Sequence, residues 1–172
     1  MNVLIIFLLF FNVLFSNAKA SSLKGKAIIC ESENEKNNTY LTWNFIFKDN
    51  RQDHILPNAI KGNFTNSEVY LDEVKNEVEK SECLRGTCEY YLADEKYVVL
   101  HYKIDSEDDV ERISRKGLRF FYDENNNAKY PEWVEDETAT CQVVNPKEAK
   151  KILNQKEKKY KSIAKKRKKK NI

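Results

Sequence analysis

The chain has little of what most catalytic sites are built from. Its 172 residues include two histidines, His54 and His101, four glycines, three prolines and one methionine. It has no Gly-rich phosphate loop, no G-x-S-x-G and no H-E-x-x-H, which removes the usual signatures of phosphoryl transfer, serine hydrolysis and zinc proteolysis. His101 falls on the polar side of an alternating apolar stretch, with no nucleophile or second ligand in view. C-x-x-C is absent too, so a dithiol redox pair is not expected. No enzyme is expected from these residues, and no cofactor or metal.

Long apolar runs are equally scarce. The one that exists, Val3 to Phe15, is followed by the small-x-small triplet Ala18, Lys19, Ala20, the form of a signal-peptidase site. It is shorter than the ~20 residues a spanning helix needs. We therefore expect a signal peptide over residues 1–20 and a secreted or periplasmic chain with no transmembrane span after cleavage. No cysteine follows the run in the cleavage region, so a lipoprotein is not supported.

Export implies oxidising conditions, and Cys30, Cys83, Cys88 and Cys141 form an even set. Four cysteines allow three pairings. The favoured one joins Cys83 to Cys88 across C-L-R-G-T-C, where Gly86 serves a turn, and Cys30 to Cys141, clasping the first strand to the last. The rival is a four-thiolate zinc site. It usually wants two close pairs, whereas Cys30 and Cys141 each stand alone.

What the chain does have is period-two alternation. In YLTWNFIFK, Leu41, Trp43, Phe45 and Phe47 face one way while Thr42, Asn44 and Lys48 face the other. Val98, Leu100, Tyr102 and Ile104 repeat the pattern, as do Leu118, Phe120 and Tyr122, and Ala139, Cys141 and Val143. These read as half-buried antiparallel strands. Turn chemistry separates them at KDNR, ADEK and DENNNAK. Residues 53 to 63 read as a weak edge strand interrupted by Pro57, and residues 68 to 80 fit helix and strand equally. From Lys147 onward no Pro or Gly recurs, and Ala149, Ile152, Leu153, Tyr160, Ile163 and Ala164 take helical spacing. Asn145 is placed to cap this helix with Pro146 in its first turn, and its end is expected to fray. The fold class is thus mainly β: a small antiparallel barrel or sandwich clasped by disulfides over residues 21–145, with a basic helical tail over 146–172.

Charge divides along the same boundary. Residues 147–172 hold 13 Lys and Arg against 2 Glu, net +11, while residues 21–146 hold 16 against 25, net −9. The overall +3 conceals this dipole. KKRKKK alone would suggest a nuclear or nucleic-acid tag, but an exported chain never meets the importins. Lys165, Lys166, Arg167, Lys168, Lys169 and Lys170 are therefore assigned to an anionic envelope surface or an acidic protein, with the chain's own acidic body as a further candidate.

Weaker motifs have bland readings. RKGLRFFYD at 115–123 faintly matches an RNA-binding strand, yet Leu118 and Arg119 stand where aromatic and small residues belong. DSEDDVE at 105–111 lacks the order of a calcium loop and reads as a solvated acidic turn. Glu132, Glu135, Asp136 and Glu137 beside Trp133 could form a sugar-cleaving carboxylate pair only at a separation that sequence does not fix. Asn37 and Asn63 lie in glycosylation sequons.

The strand Trp43-x-Phe45-x-Phe47, the later Ile113-x-Arg115-Lys116-x-Leu118-x-Phe120, the 24 Lys and 18 Asn and the basic tail resemble the small exported proteins of AT-rich marine alphaproteobacteria of the Pelagibacter kind. That resemblance implies a periplasmic setting and brings no activity or site residues with it. A looser similarity is to small periplasmic barrels of the lysozyme-inhibitor type, whose terminal strands are also joined by a disulfide; their inhibitory loop motif is not recognisable here. The expected function is a binding or interaction module held near an anionic surface by its tail, the alternative being an inhibitor or ligand carrier working through a barrel mouth.

Overall fold

The computed structural model describes residues 22–34, 39–49, 51–52, 59–72, 74–82, 87–104, 107–122 and 139–170. The expected signal peptide, Cys83, His54, Asn37 and the carboxylates from Glu132 to Glu137 lie outside them. The described chain is mainly β. Its strands are β1 (Ala27–Asn34), β2 (Thr39–Phe47), β3 (Arg51–Gln52), β4 (Ile60–Gly62), β5 (Phe64–Asp72), β6 (Glu77–Glu82), β7 (Thr87–Ala93), β8 (Tyr97–Ile104), β9 (Glu107–Ser114), β10 (Arg119–Tyr122) and β11 (Ala139–Val144), and one helix follows, α1 (Pro146–Lys170).

All strand pairs are antiparallel, in the order β3-β4-β7-β8-β9-β10-β11-β1-β2-β5-β6. The two ends of this sheet, β3 and β6, do not hydrogen-bond to each other. Of the two architectures expected, the barrel is therefore not realised: the sheet is open and folds over itself like a sandwich. The corner is made by one strand that serves both halves. β4 pairs with β7, and a single residue later β5 pairs with β2, a device by which strands switch sheets. Gly62 makes that corner possible. A Cβ there would sit 2.1 Å from the Asp49 carbonyl oxygen and 2.6 Å from the Tyr91 ring.

The alternation sets the core. Trp43, Phe45 and Phe47 of β2 face Tyr91 and Ala93 of β7 and Val98, Leu100 and Tyr102 of β8, with Ile28, Phe64 and Ile113 filling the layer. Edge-on rings join the halves: Phe47 to Tyr91 at 4.9 Å and Phe64 to Tyr102 at 5.3 Å between centroids. Burying each such side chain contributes ~1.5–3 kcal/mol. Cys30 and Cys141 stand opposite each other in the β1–β11 ladder and are joined by a disulfide. The bond spans 111 residues, and a closed loop of that size restricts the unfolded chain by ~4–5 kcal/mol. Cys88 is also disulfide-bonded.

Four expectations are corrected. The acidic run from Glu107 is strand β9, not a turn, paired with β8 throughout. Leu118 does not begin a strand: it sits at φ 50° in the turn after Gly117, which has φ 89°, and β10 starts at Arg119. Its carbonyl instead accepts the Cys141 N–H at 2.7 Å. Val143 is 43% exposed, because β10 pairs with the Ala139–Thr140 end of β11 and leaves Val143 without a strand partner on that side among the described residues. Finally, α1 continues through the basic run as far as Lys170. Residues 68–80, which fit two readings, form the β5–β6 hairpin, turning at Asn76 with φ 51°.

Candidate functional site

Helix α1 begins where the sequence places it. Asn145 Oδ1 accepts the Glu148 N–H at 2.8 Å, and Glu148 reaches back to the Asn145 side chain at 3.4 Å, a reciprocal cap. Pro146 then occupies the first turn at no hydrogen-bonding cost. The helix does not project as a tail but lies on the outer face of β1, β2, β5 and β6. Tyr160 and Ala164 pack with Tyr40, Val69 and Leu71, and Ala149 packs with Ala27 and Ile29. This explains why Thr42 and Asn44, on the polar side of β2, are 0% and 3% exposed.

Tyr160 is the anchor. Thr42 Oγ1 lies 2.8 Å from its hydroxyl, which in turn donates to Glu33 at 3.1 Å, and its ring meets Tyr40 edge-on at 5.6 Å. Burial pushes the phenol well above its ordinary value, assisted by the Glu33 charge, so it stays a neutral donor. Lys156 bridges Glu31 and Glu33, and Lys159 joins Glu33. Burial raises the Glu33 carboxyl, but the Lys156 and Lys159 ammonium groups outweigh it and hold the carboxyl below its ordinary value of 4.5. Lys156 shows the mirror effect: burial lowers it, and Glu31 and Glu33 together raise it further. Glu157 accepts from Lys161 of the helix and Lys80 of β6.

The six tail residues expected to bind an anionic surface divide. Arg167 turns inward, its guanidinium 5.3 Å from the centre of the Tyr40 ring, and Lys168 pairs with Glu77 of β6 at 3.0 Å. Lys165, Lys166 and Lys169 are exposed and form no ion pair among the described residues. Lys170 is the last helical residue. Its side chain is not among those described.

Helical geometry adds two residues that the focus on the terminal run missed. At 100° per residue, Lys151, Lys158, Lys165 and Lys169 fall within about 40° of one another, opposite Tyr160. All are exposed, and the row extends ~27 Å at 1.5 Å per residue. Both acidic residues of the helix lie off this row: Glu148 belongs to the cap and Glu157 to the sheet-facing side. The spacing of Lys151, Lys158 and Lys165 by sevens was the available signal.

On the other half of the sheet, His101 stacks on Tyr90 with centroids 4.3 Å apart and planes at 18°, and the Lys61 ammonium sits 3.7 Å from the Tyr90 ring centre. Tyr102 donates to Glu111, a carboxylate only 8% exposed. These contacts give buried and half-buried charges partners within the sheet. No protein-family model, curated protein or solved structure matches this chain. Among the described residues no helix is long and apolar enough to cross a membrane.

Proposed function

We propose that this protein is an exported module that rests on an anionic membrane surface through the outer face of α1, with Lys151, Lys158, Lys165 and Lys169 as a straight cationic row and Lys166 beside it. The observation that carries this reading is the docking of the helix. Tyr160, Ala164 and Ala149 commit the apolar side of α1 to the sheet, so the lysine row is held outward on a rigid support. A free amphipathic helix would bury its apolar side in lipid; here that side is occupied, and contact is electrostatic.

At ~1 kcal/mol per lysine close to an anionic leaflet, five lysines supply up to ~5 kcal/mol at low salt, a sub-millimolar association. The test is cosedimentation of the exported chain with phosphatidylglycerol vesicles while salt rises from about 0.01 M to about 1 M, as the screening length falls from ~30 Å to ~3 Å. Binding that fades across this range, and is absent on neutral phosphatidylcholine, supports the reading. Salt-independent binding, or none at low salt, refutes it. The alternative, a carrier with its site at a barrel mouth, gains no support from a sheet that is open.

A further inference from the structure

Between the first half of α1 and strands β2, β5 and β6 lies a groove of about 850 Å³, within the range of small-ligand sites. Its floor is polar, in contrast to the apolar contacts that Ala149 makes with Ala27 and Ile29 beside it. Asn44, Ser67 and Glu82 stand side by side across β2, β5 and β6. Asn44 Nδ2 donates to Ser67 Oγ at 3.2 Å. Its other atom, Oδ1, is buried with no hydrogen-bond partner among the described residues, in a side chain that lines the groove and belongs to a residue 3% exposed. A buried acceptor left unsatisfied is costly and rare in a native fold.

The walls carry opposite charges. Lys147 and Lys150, one helical turn apart, border the groove on the helix side, and Glu82 borders it on the strand side together with Glu68 and with Lys80, whose ammonium is taken up by Glu157. Lys147, Lys150 and Glu82 form no ion pair among the described residues. Leu153 and Ile46 add apolar surface between them.

We propose that this groove binds a short zwitterionic peptide. The ligand's carboxylate meets Lys147 and Lys150, its ammonium meets Glu82, and a main-chain N–H donates to Asn44 Oδ1. A phosphate or nucleotide would place its charge against Glu82, and a sugar would find no aromatic ring among the lining residues to stack on. A peptide supplies both charges and the N–H donor that Asn44 requires. The site is separate from the outward lysine row and needs no membrane.

Titration calorimetry with trialanine tests this, alongside N-acetyl-trialanine amide, which keeps the N–H groups and loses both charges. The free peptide should bind saturably to the exported chain, and the capped one about tenfold or more weaker, as charged hydrogen bonds are lost. A K147Q/K150Q variant, altered only at exposed side chains, should weaken the free peptide by about tenfold and leave the capped one unchanged. No saturable binding of trialanine, equal binding of the two peptides, or unchanged affinity in the variant would each overturn the assignment. Because the assay contains no lipid, its failure leaves the membrane reading standing, and the converse holds as well.

Discussion

Tyr160 is where the docking of the helix can be measured. Tyr160→Phe keeps the ring against Tyr40 and removes the hydroxyl that joins Thr42 to Glu33. Thr42 is fully buried, so its hydroxyl loses its partner where water does not replace it. Losing the bond and stranding Thr42 together cost about 2 kcal/mol. Tyr160→Ala also empties the space of a fully buried aromatic ring, at about 3–5 kcal/mol. In a domain of this size each kcal/mol moves Tm by roughly 2–4 °C, so the Phe variant should melt about 4–8 °C below the parent and the Ala variant clearly lower again. Thermal unfolding by circular dichroism reads both. A Phe variant within about 1 °C of the parent would refute the hydrogen-bonded anchor. Equal damage from Phe and Ala would show that the ring does not pack as described.

Two further outcomes follow from the same geometry. Gly62→Ala should destabilise the chain by about 1–3 kcal/mol or more, because its Cβ would meet the Asp49 carbonyl and the Tyr91 ring, both fixed by the Tyr91 hydroxyl donating to that carbonyl at 2.8 Å; urea unfolding with an unchanged midpoint would contradict the corner. Acid should loosen the helix before the core. Glu33 faces Lys156, Lys159 and Tyr160 from α1, with Glu31 beside it on β1, and its carboxyl is held below 4.5. A group depressed in the folded state stabilises fully above its unfolded value and loses that contribution as pH falls through its folded value. The hydrogen-exchange protection of the α1 amides, taken relative to the intrinsic exchange rate at each pH, should therefore fall below about pH 4.5 in the parent and change less with pH in Glu33→Gln.

Much of the fold was legible because its signals are local. Alternation identified the inward faces of β2 and β8, the Asn145–Pro146 pair located the start of α1, and the tight C-L-R-G-T-C loop, by favouring a local bond there, left Cys30 and Cys141 to pair. What escaped the sequence depends on partners far along the chain. Strand β9 looks like an acidic turn until Tyr102 is placed against Glu111 and the Arg112 guanidinium over the Tyr97 ring. Thr42 and Asn44 read as a solvated face, because only the return of α1 more than a hundred residues later buries them. The tail was legible as charge but not as geometry. Once Tyr160 is fixed on the sheet, the same lysines separate into those that hold the helix, Lys156 and Lys159, and those that face away.

Substitution rather than deletion tests that separation, since removing α1 would uncover Ala27, Ile29, Val69 and Leu71. The measurement is binding to phosphatidylglycerol vesicles at low salt by a K151Q/K158Q/K165Q/K169Q variant, beside a charge-matched control altered at Lys24, Lys26, Lys96 and Lys116, all exposed and outside the helix. The row variant, folded like the parent, should lose vesicle binding while the control retains most of it. Equal loss in both would show that net charge alone acts, and retention by the row variant would show that the outer face of α1 is not the contact.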